Sequence, residues 1–114
     1  MKKVLVINDS EFERNVLRDL LVNLGYEVKT ADEYTALGSN ETYNPDIVIA
    51  NMNMTNITGD LMLQRIKGRK AQTKCYLSSC SKLDAQYRDC RWVDGLIETP
   101  INMGDLEKIL NEQV

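Results

Sequence analysis

A chain of 114 residues, 43% hydrophobic and 27% charged, holds enough apolar material to bury a core without disulfide or metal staples. Its formal charge of −3 argues against nucleic acid or an anionic membrane as the main partner. Histidine is absent, and Cys75, Cys80 and Cys90 form no Cys-x-x-Cys pair, which excludes the usual zinc sets and a disulfide framework. The thiols read as small core or surface residues, with Cys80, in a loop, the one placed for reactivity.

Met1-Lys2-Lys3 followed by Val4 to Ile7 is too short for a signal peptide, and no apolar run is long enough to span a bilayer, so a cytoplasmic protein is expected. Val4 to Ile7 is instead a fully apolar run, as in a buried central strand. Ser10 and Glu13 make a capping-box signature, and Phe12, Val16, Leu17, Leu20, Leu21 and Leu24 mark one face of a helix that Gly25 ends. Tyr26 to Thr30 alternates in the manner of an exposed edge strand, and a weakly marked helix is expected from about Glu33 to Gly38.

Pro45-Asp46 introduces the second buried run, Ile47 to Ala50, and Thr58-Gly59 opens a helix carrying Leu61, Met62 and Ile66. Cys75 to Leu77 reads as a fourth strand, Leu83 to about Cys90 as a short helix, and Gly95 to Ile97 as a fifth strand. Asn102, with Asp105 three residues on, caps a last helix using Leu106, Ile109 and Leu110. The helices are expected to face the core, with no second apolar face on any of them. Strands alternating with helices over short connections predict one α/β domain over 1–114, with a parallel sheet covered on both faces. In such sheets the functional crevice lies outside the carboxyl ends of the strands. The residues to watch are therefore Asn8 and Asp9, Asn51 to Met54, Ser78 and Ser79, and Thr99-Pro100.

The opening Val-Leu-Val-Ile-Asn-Asp, the Pro45 to Ile49 run, Asn53-Met54 with Gly59 beyond, Ser78, and Thr99-Pro100 resemble, in order and spacing, the CheY-like receiver domains of two-component response regulators. The resemblance covers essentially the whole chain. It implies a flavodoxin-like (βα)5 three-layer sandwich with strand order 2-1-3-4-5, and a cis Thr99-Pro100 bond. It also implies that Asn51 occupies the phosphoacceptor position, that Asn8, Asp9 and the Asn53 carbonyl occupy the magnesium-binding positions, and that Ser78 and Thr99 occupy the phosphate-contacting hydroxyl and lysine positions. Leu96 occupies the place of the switch aromatic, and Trp92 that of a glycine.

Several of these positions have changed character. An asparagine carboxamide is neutral, its nitrogen lone pair delocalised, and is a very poor nucleophile beside a carboxylate. Magnesium prefers hard anionic oxygens, and unit charges about 4 Å apart attract by roughly 4 kcal/mol at an effective dielectric of about 20. With Asp9 the one charged ligand left, magnesium binding is expected to be weak or absent, and no other cofactor is expected. Thr99 lacks the amine that would stabilise a transferring phosphoryl group, yet a neutral side chain suits a pocket that has lost its acids.

Each residue also has a plainer reading. Asp9 can belong to the helix entry beside Ser10, while Asn8, Asn51 and Asn53 can satisfy loop backbone groups. Ser78 can hydrogen-bond locally at the strand end. Trp92 can pack against the last helix or, if exposed, anchor a partner. The combined expectation is a non-enzymatic pseudo-receiver that binds a protein partner, a histidine kinase or other signalling protein, independently of phosphorylation. Its expected contact surface is the fourth helix, fifth strand and fifth helix, including Trp92 and Leu96. With no output domain after the last helix, it would act by contact. The rivals are a receiver phosphorylated at Asp9, Ser78 or deamidated Asn51, and a flavodoxin-type binder of small molecules. The latter is disfavoured because Asn8-Asp9-Ser10-Glu11 offers acids where a phosphate cradle needs glycines.

Overall fold

The structure is a computed structural model that describes residues 2–83, 87 and 90–112. The apolar runs form the strands β1 (Lys3–Ile7), β2 (Glu27–Ala31), β3 (Ile47–Asn51), β4 (Lys74–Ser79) and β5 (Gly95–Glu98). They pair in parallel, in the order β2-β1-β3-β4-β5. Four helices are described: α1 (Glu11–Asn23), α2 (Ala36–Tyr43), α3 (Gly59–Arg69) and α4 (Met103–Asn111). The helix expected from Leu83 to about Cys90 lies largely outside the described residues.

Alternate residues of a strand point to opposite faces of its sheet, and here that parity divides the core in two. Leu5, Ile7, Val48, Ala50, Cys75 and Leu77 pack with Met62, Leu63 and Ile66 of α3. Val4, Val6, Ile47, Ile49, Tyr76 and Ile97 pack with Leu17 and Leu21 of α1 and Leu106 and Leu110 of α4. The β2 strand is at the edge, as its alternation predicts, with only Ala31 fully buried.

Local chemistry sets the element ends. Ser10 caps α1 by accepting from the Glu13 amide, Asn102 caps α4 by accepting from the Asp105 amide, and Gly25 takes φ 98° where α1 gives way to β2. The second helix begins three residues later than expected and runs to Tyr43. Asp32 Oδ1 accepts hydrogen bonds from Tyr34 N, Thr35 N and Thr35 Oγ1, which holds this stretch in a turn until Ala36. At the far end Asn44 adopts φ 52°, stopping the helix just before Pro45.

Two packing expectations are corrected. Phe12 and Val16 do not enter the core, and are 76% and 45% exposed. At 100° per residue, Phe12 lies about 140° around the helix from Leu17, so the apolar arc of α1 is wider than the sheet can cover. Trp92 does not pack against α4 but joins the cluster on the α3 side of the sheet, with its Nε1 buried and unpartnered among the described residues. The residue sits beside Val93, which is buried in that same cluster.

Gly59 is required by space. A Cβ there would lie 2.3 Å from the Asn51 carbonyl oxygen and 2.8 Å from Leu77 Cδ1. Gly59 N also donates to the Met52 carbonyl at 2.9 Å, so α3 begins pressed against the end of β3. Gly59→Ala is expected to destabilise the fold by about 2 to 3 kcal/mol. Gly38→Ala, whose Cβ would meet nothing within 4 Å inside α2, is expected to stabilise by up to about 1 kcal/mol. Urea unfolding midpoints at constant slope measure both.

Candidate functional site

Parallel pairing places the carboxyl ends of β1, β3, β4 and β5 along one edge of the sheet, and the sequence-predicted residues meet there. Asn51 ends β3 directly opposite Ser78 of β4, and Ser78 is opposite Ile97 of β5. Asn8, Asn51 and Ser78 are buried. The Thr99-Pro100 bond is cis, and Thr99 N donates to the Ser79 carbonyl at 2.8 Å.

Asn8 is held on every side. Its Nδ2 donates to Glu13 Oε2 at 2.9 Å, its Oδ1 accepts from Ser10 N at 2.9 Å, and its carbonyl accepts from Arg14 Nη1 at 2.6 Å. The capping box read from the sequence is thus altered. Glu13 reaches Asn8 rather than the Ser10 amide, and Asn8 takes that amide itself. A carboxylate at position 8 could accept from Ser10 but would repel Glu13.

Asn51 Nδ2 donates to the Asn53 carbonyl at 2.8 Å. This orientation follows from the chemistry, since turning the amide over would set its oxygen against the carbonyl oxygen. The segment beyond closes on itself through a bridge between Asn53 and Thr58, and Met52 N donates to the Ser78 carbonyl at 2.7 Å.

Asp9 does not serve the entry of α1, where Ser10 is the cap. Its Oδ1 accepts from Glu33 N at 3.1 Å, and its Oδ2 accepts from Thr55 N at 2.8 Å and Thr55 Oγ1 at 2.9 Å. Partial burial alone would raise its pKa. Hydrogen bonding with Glu33 and Thr55 outweighs that and holds the carboxyl below its ordinary value of 3.8.

Glu33 completes this arrangement, and the sequence reading missed it. Its carboxylate accepts from Thr55 N at 2.6 Å and from Asn56 N at 2.8 Å, while Asn56 Nδ2 donates to the Tyr34 hydroxyl at 2.6 Å. Two carboxylates, one from the turn after β1 and one from the turn after β2, therefore grip the backbone of the loop after β3. A signal existed, because Asp32-Glu33 directly follows a strand whose carboxyl end faces the same edge.

On the opposite side of the site, Cys80 is exposed and lines a cleft with Ser78 and Thr99. Cys75 is buried, and desolvation pushes its thiol up to about 12. Leu96 and Trp92 are half-buried against the α3-side cluster, and neither hydrogen-bonds with the residues described above through its side chain among the described residues.

Asp9→Ala is expected to cost about 1 kcal/mol at neutral pH, after allowance for solvent screening. A carboxyl with a lowered folded-state pKa contributes fully above its unfolded value and loses that contribution as pH falls through the folded value. The difference between wild type and variant should therefore be constant near neutrality and shrink below the ordinary pKa of 3.8. Urea unfolding at a series of pH values measures it.

The family model described as the response regulator receiver domain matches residues 4–111. Among curated proteins the chain is 33% identical over 88 residues to protein-glutamate methylesterase/protein-glutamine glutaminase 3 of Rhodospirillum rubrum, covering 75% of the chain and 24% of that protein. It is 40% identical over 65 residues to the sensor histidine kinase RcsC of Escherichia coli K12, covering 56% of the chain and 7% of the kinase. The chain thus spans a quarter or less of these relatives. The chemotaxis protein CheY of Bacillus subtilis is 29% identical over 86 residues, 74% of the chain and 70% of that protein. Among solved structures, Vibrio cholerae CheY4 superposes with a TM-score of 0.90 at 25% identity, covering 100% of this chain and 99% of that one. The response regulator TrrA of Thermotoga maritima, in complex with Mg(2+)-BeF, superposes at 0.86 with 27% identity over the whole of both chains. With its strand order, its cis Thr99-Pro100 bond and its residues gathered at the carboxyl edge of the sheet, this chain belongs to the response regulator receiver domain family of two-component signalling.

Proposed function

We propose that this receiver domain works as a cytoplasmic, non-enzymatic interaction module whose contacts with a signalling protein, such as a histidine kinase, do not depend on phosphorylation. The observation that carries this reading is the hydrogen bond from Asn51 Nδ2 to the Asn53 carbonyl. In the receiver pattern the side chain at 51 accepts the phosphoryl group and the carbonyl of 53 binds magnesium. Here an amide N–H at the first position satisfies the oxygen at the second.

The remaining donor set does not fit a magnesium ion. Asn8 has its Oδ1 on the Ser10 amide, and both Asp9 oxygens accept from the turns carrying Glu33 and Thr55. Magnesium at this site would compete with hydrogen bonds already made to these oxygens while gaining a single carboxylate of the receiver set, in octahedral geometry it enforces strictly. Asn51 is no nucleophile, and Thr99 offers no cation to a phosphoryl oxygen.

For the contact surface, Leu96 remains the stronger part of the expected patch. It is half-buried and borders a shallow groove with Ile109 of α4. Trp92 contributes through packing, because its Nε1 is buried.

Titration with magnesium and beryllofluoride, followed by amide NMR, tests the proposal. The wild-type chain is expected to show no saturable shifts at residues 51–55. The triple variant Asn8→Asp, Asn51→Asp, Thr99→Lys is expected to bind at least about a hundredfold more tightly, as two restored carboxylates require. Saturable, magnesium-dependent shifts around Asn51 in the wild type would overturn the reading.

A further inference from the structure

A cleft of 340 Å³ opens between α1 and the turns that follow β4 and β5. Its origin lies in strand parity and in the wide apolar arc of α1. Ser78 follows Tyr76 by two residues and so points to the same face of the sheet, but where Tyr76 fills its space a serine does not. Phe12, Val16 and Leu20 of α1 wall the space on one side and Ile101 on the other, with the hydroxyl-bearing residues Ser78 and Thr99 also lining it.

The polar content of the cleft is small and specific. Ser78 is 3% exposed, and its hydroxyl has no hydrogen-bond partner among the described residues. Glu13 is the one charged residue among the described lining residues, and its carboxylate is already engaged by Asn8 Nδ2. Among the described residues no lysine or arginine lines the cleft to balance an anion.

We propose that this cleft binds a small, uncharged, mainly apolar molecule that presents one carbonyl or hydroxyl group to Ser78. Apolar walls with a few convergent polar groups, at a volume near the lower end of the ~300 to 1,000 Å³ typical of ligand sites, are the features of such pockets. A carbonyl oxygen would take the hydrogen bond that the Ser78 hydroxyl lacks, whereas an apolar anchor side chain from a protein partner would bury that hydroxyl unpaired. An anion would face Glu13, while the nearby Arg14 guanidinium is engaged by the Asn8 carbonyl and is not among the described lining residues. This inference is independent of whether residue 51 accepts phosphate.

Acetophenone, cyclohexanone and benzyl alcohol, titrated into the isotope-labelled chain and followed by amide NMR, serve as probes, with benzoate as the anionic control. At least one neutral probe is expected to give saturable shifts at Phe12, Val16, Ser78 and Thr99 with Kd on the order of 1 mM, as suits a fragment. Benzoate should bind at least about tenfold more weakly, and Ser78→Ala should weaken the neutral probe by about tenfold, the effect of one lost hydrogen bond. Val16→Trp, at a half-exposed position, should fill the cleft and abolish binding; if that variant fails to fold, Ser78→Ala decides alone. Absence of saturable binding by all three neutral probes, equal binding of benzoate, or binding unaffected by Ser78→Ala would overturn the proposal. So would loss of a protein partner on Val16→Trp when no neutral probe binds, because the cleft would then be a docking groove.

Discussion

Parallel pairing of β1, β3 and β4 is the constraint from which the rest follows. It carries the buried runs Val4–Ile7, Ile47–Ala50 and Cys75–Ser79 through the middle of the molecule, all pointing the same way. Every strand then delivers its next residues to one edge. Asn8, Asn51, Ser78 and Thr99, far apart in the chain, become neighbours because backbone hydrogen bonding aligns the strands that precede them. The same pairing makes Gly59 obligatory, since α3 can begin only where its first turn meets the Asn51 carbonyl without a side chain between them.

At that edge, the arrangement is one of internal satisfaction. Asn51 donates to the Asn53 carbonyl, Asn8 bridges the Ser10 amide and Glu13, and Asp9 and Glu33 share the Thr55 amide. Buried polar groups need partners, and a receiver that uses a metal and a phosphoryl group draws some of them from those ligands. In this structure groups of the chain itself are the partners. Replacing the acid at 51 by an amide exchanges an acceptor for a donor, and the neighbouring carbonyl is an acceptor in need of one. The amides at 8 and 51 each donate to an oxygen beside them, and the grip of Glu33 on the loop after β3 adds a further acceptor for backbone amides.

The two sides of the site differ in character. Toward β2, carboxylates and backbone amides make a dense polar network in which every oxygen of Asp9 and Glu33 accepts a hydrogen bond. Toward β5, Ser78 and Thr99 border apolar side chains of α1. The division comes from the width of the apolar arc on that helix. Leu17 and Leu21 satisfy the sheet, so Phe12 and Val16 are left over to form a wall. Whatever approaches the domain meets a closed polar surface on one side and an open, mainly apolar cleft on the other.

The alternation of short apolar runs with helical periods was enough to establish the α/β class, and the chain-order motifs were enough for the receiver resemblance and the positions of Asn8, Asp9, Asn51, Ser78 and Thr99. Those features are local: a side chain's chemistry and its spacing from a strand end are present in one dimension. The bounds of the second helix are not legible in one dimension, because Ala36–Tyr43 has no apolar stripe and its start is set by Asp32 binding amides ahead of it. The roles of Asp9 and Glu33, the outward Phe12 and Val16, and the side of the sheet taken by Trp92 depended on which segments meet across the fold. Composition and periodicity determined what kind of surface each element carries. Only tertiary packing decided which part of that surface the sheet consumes and which remains to bind.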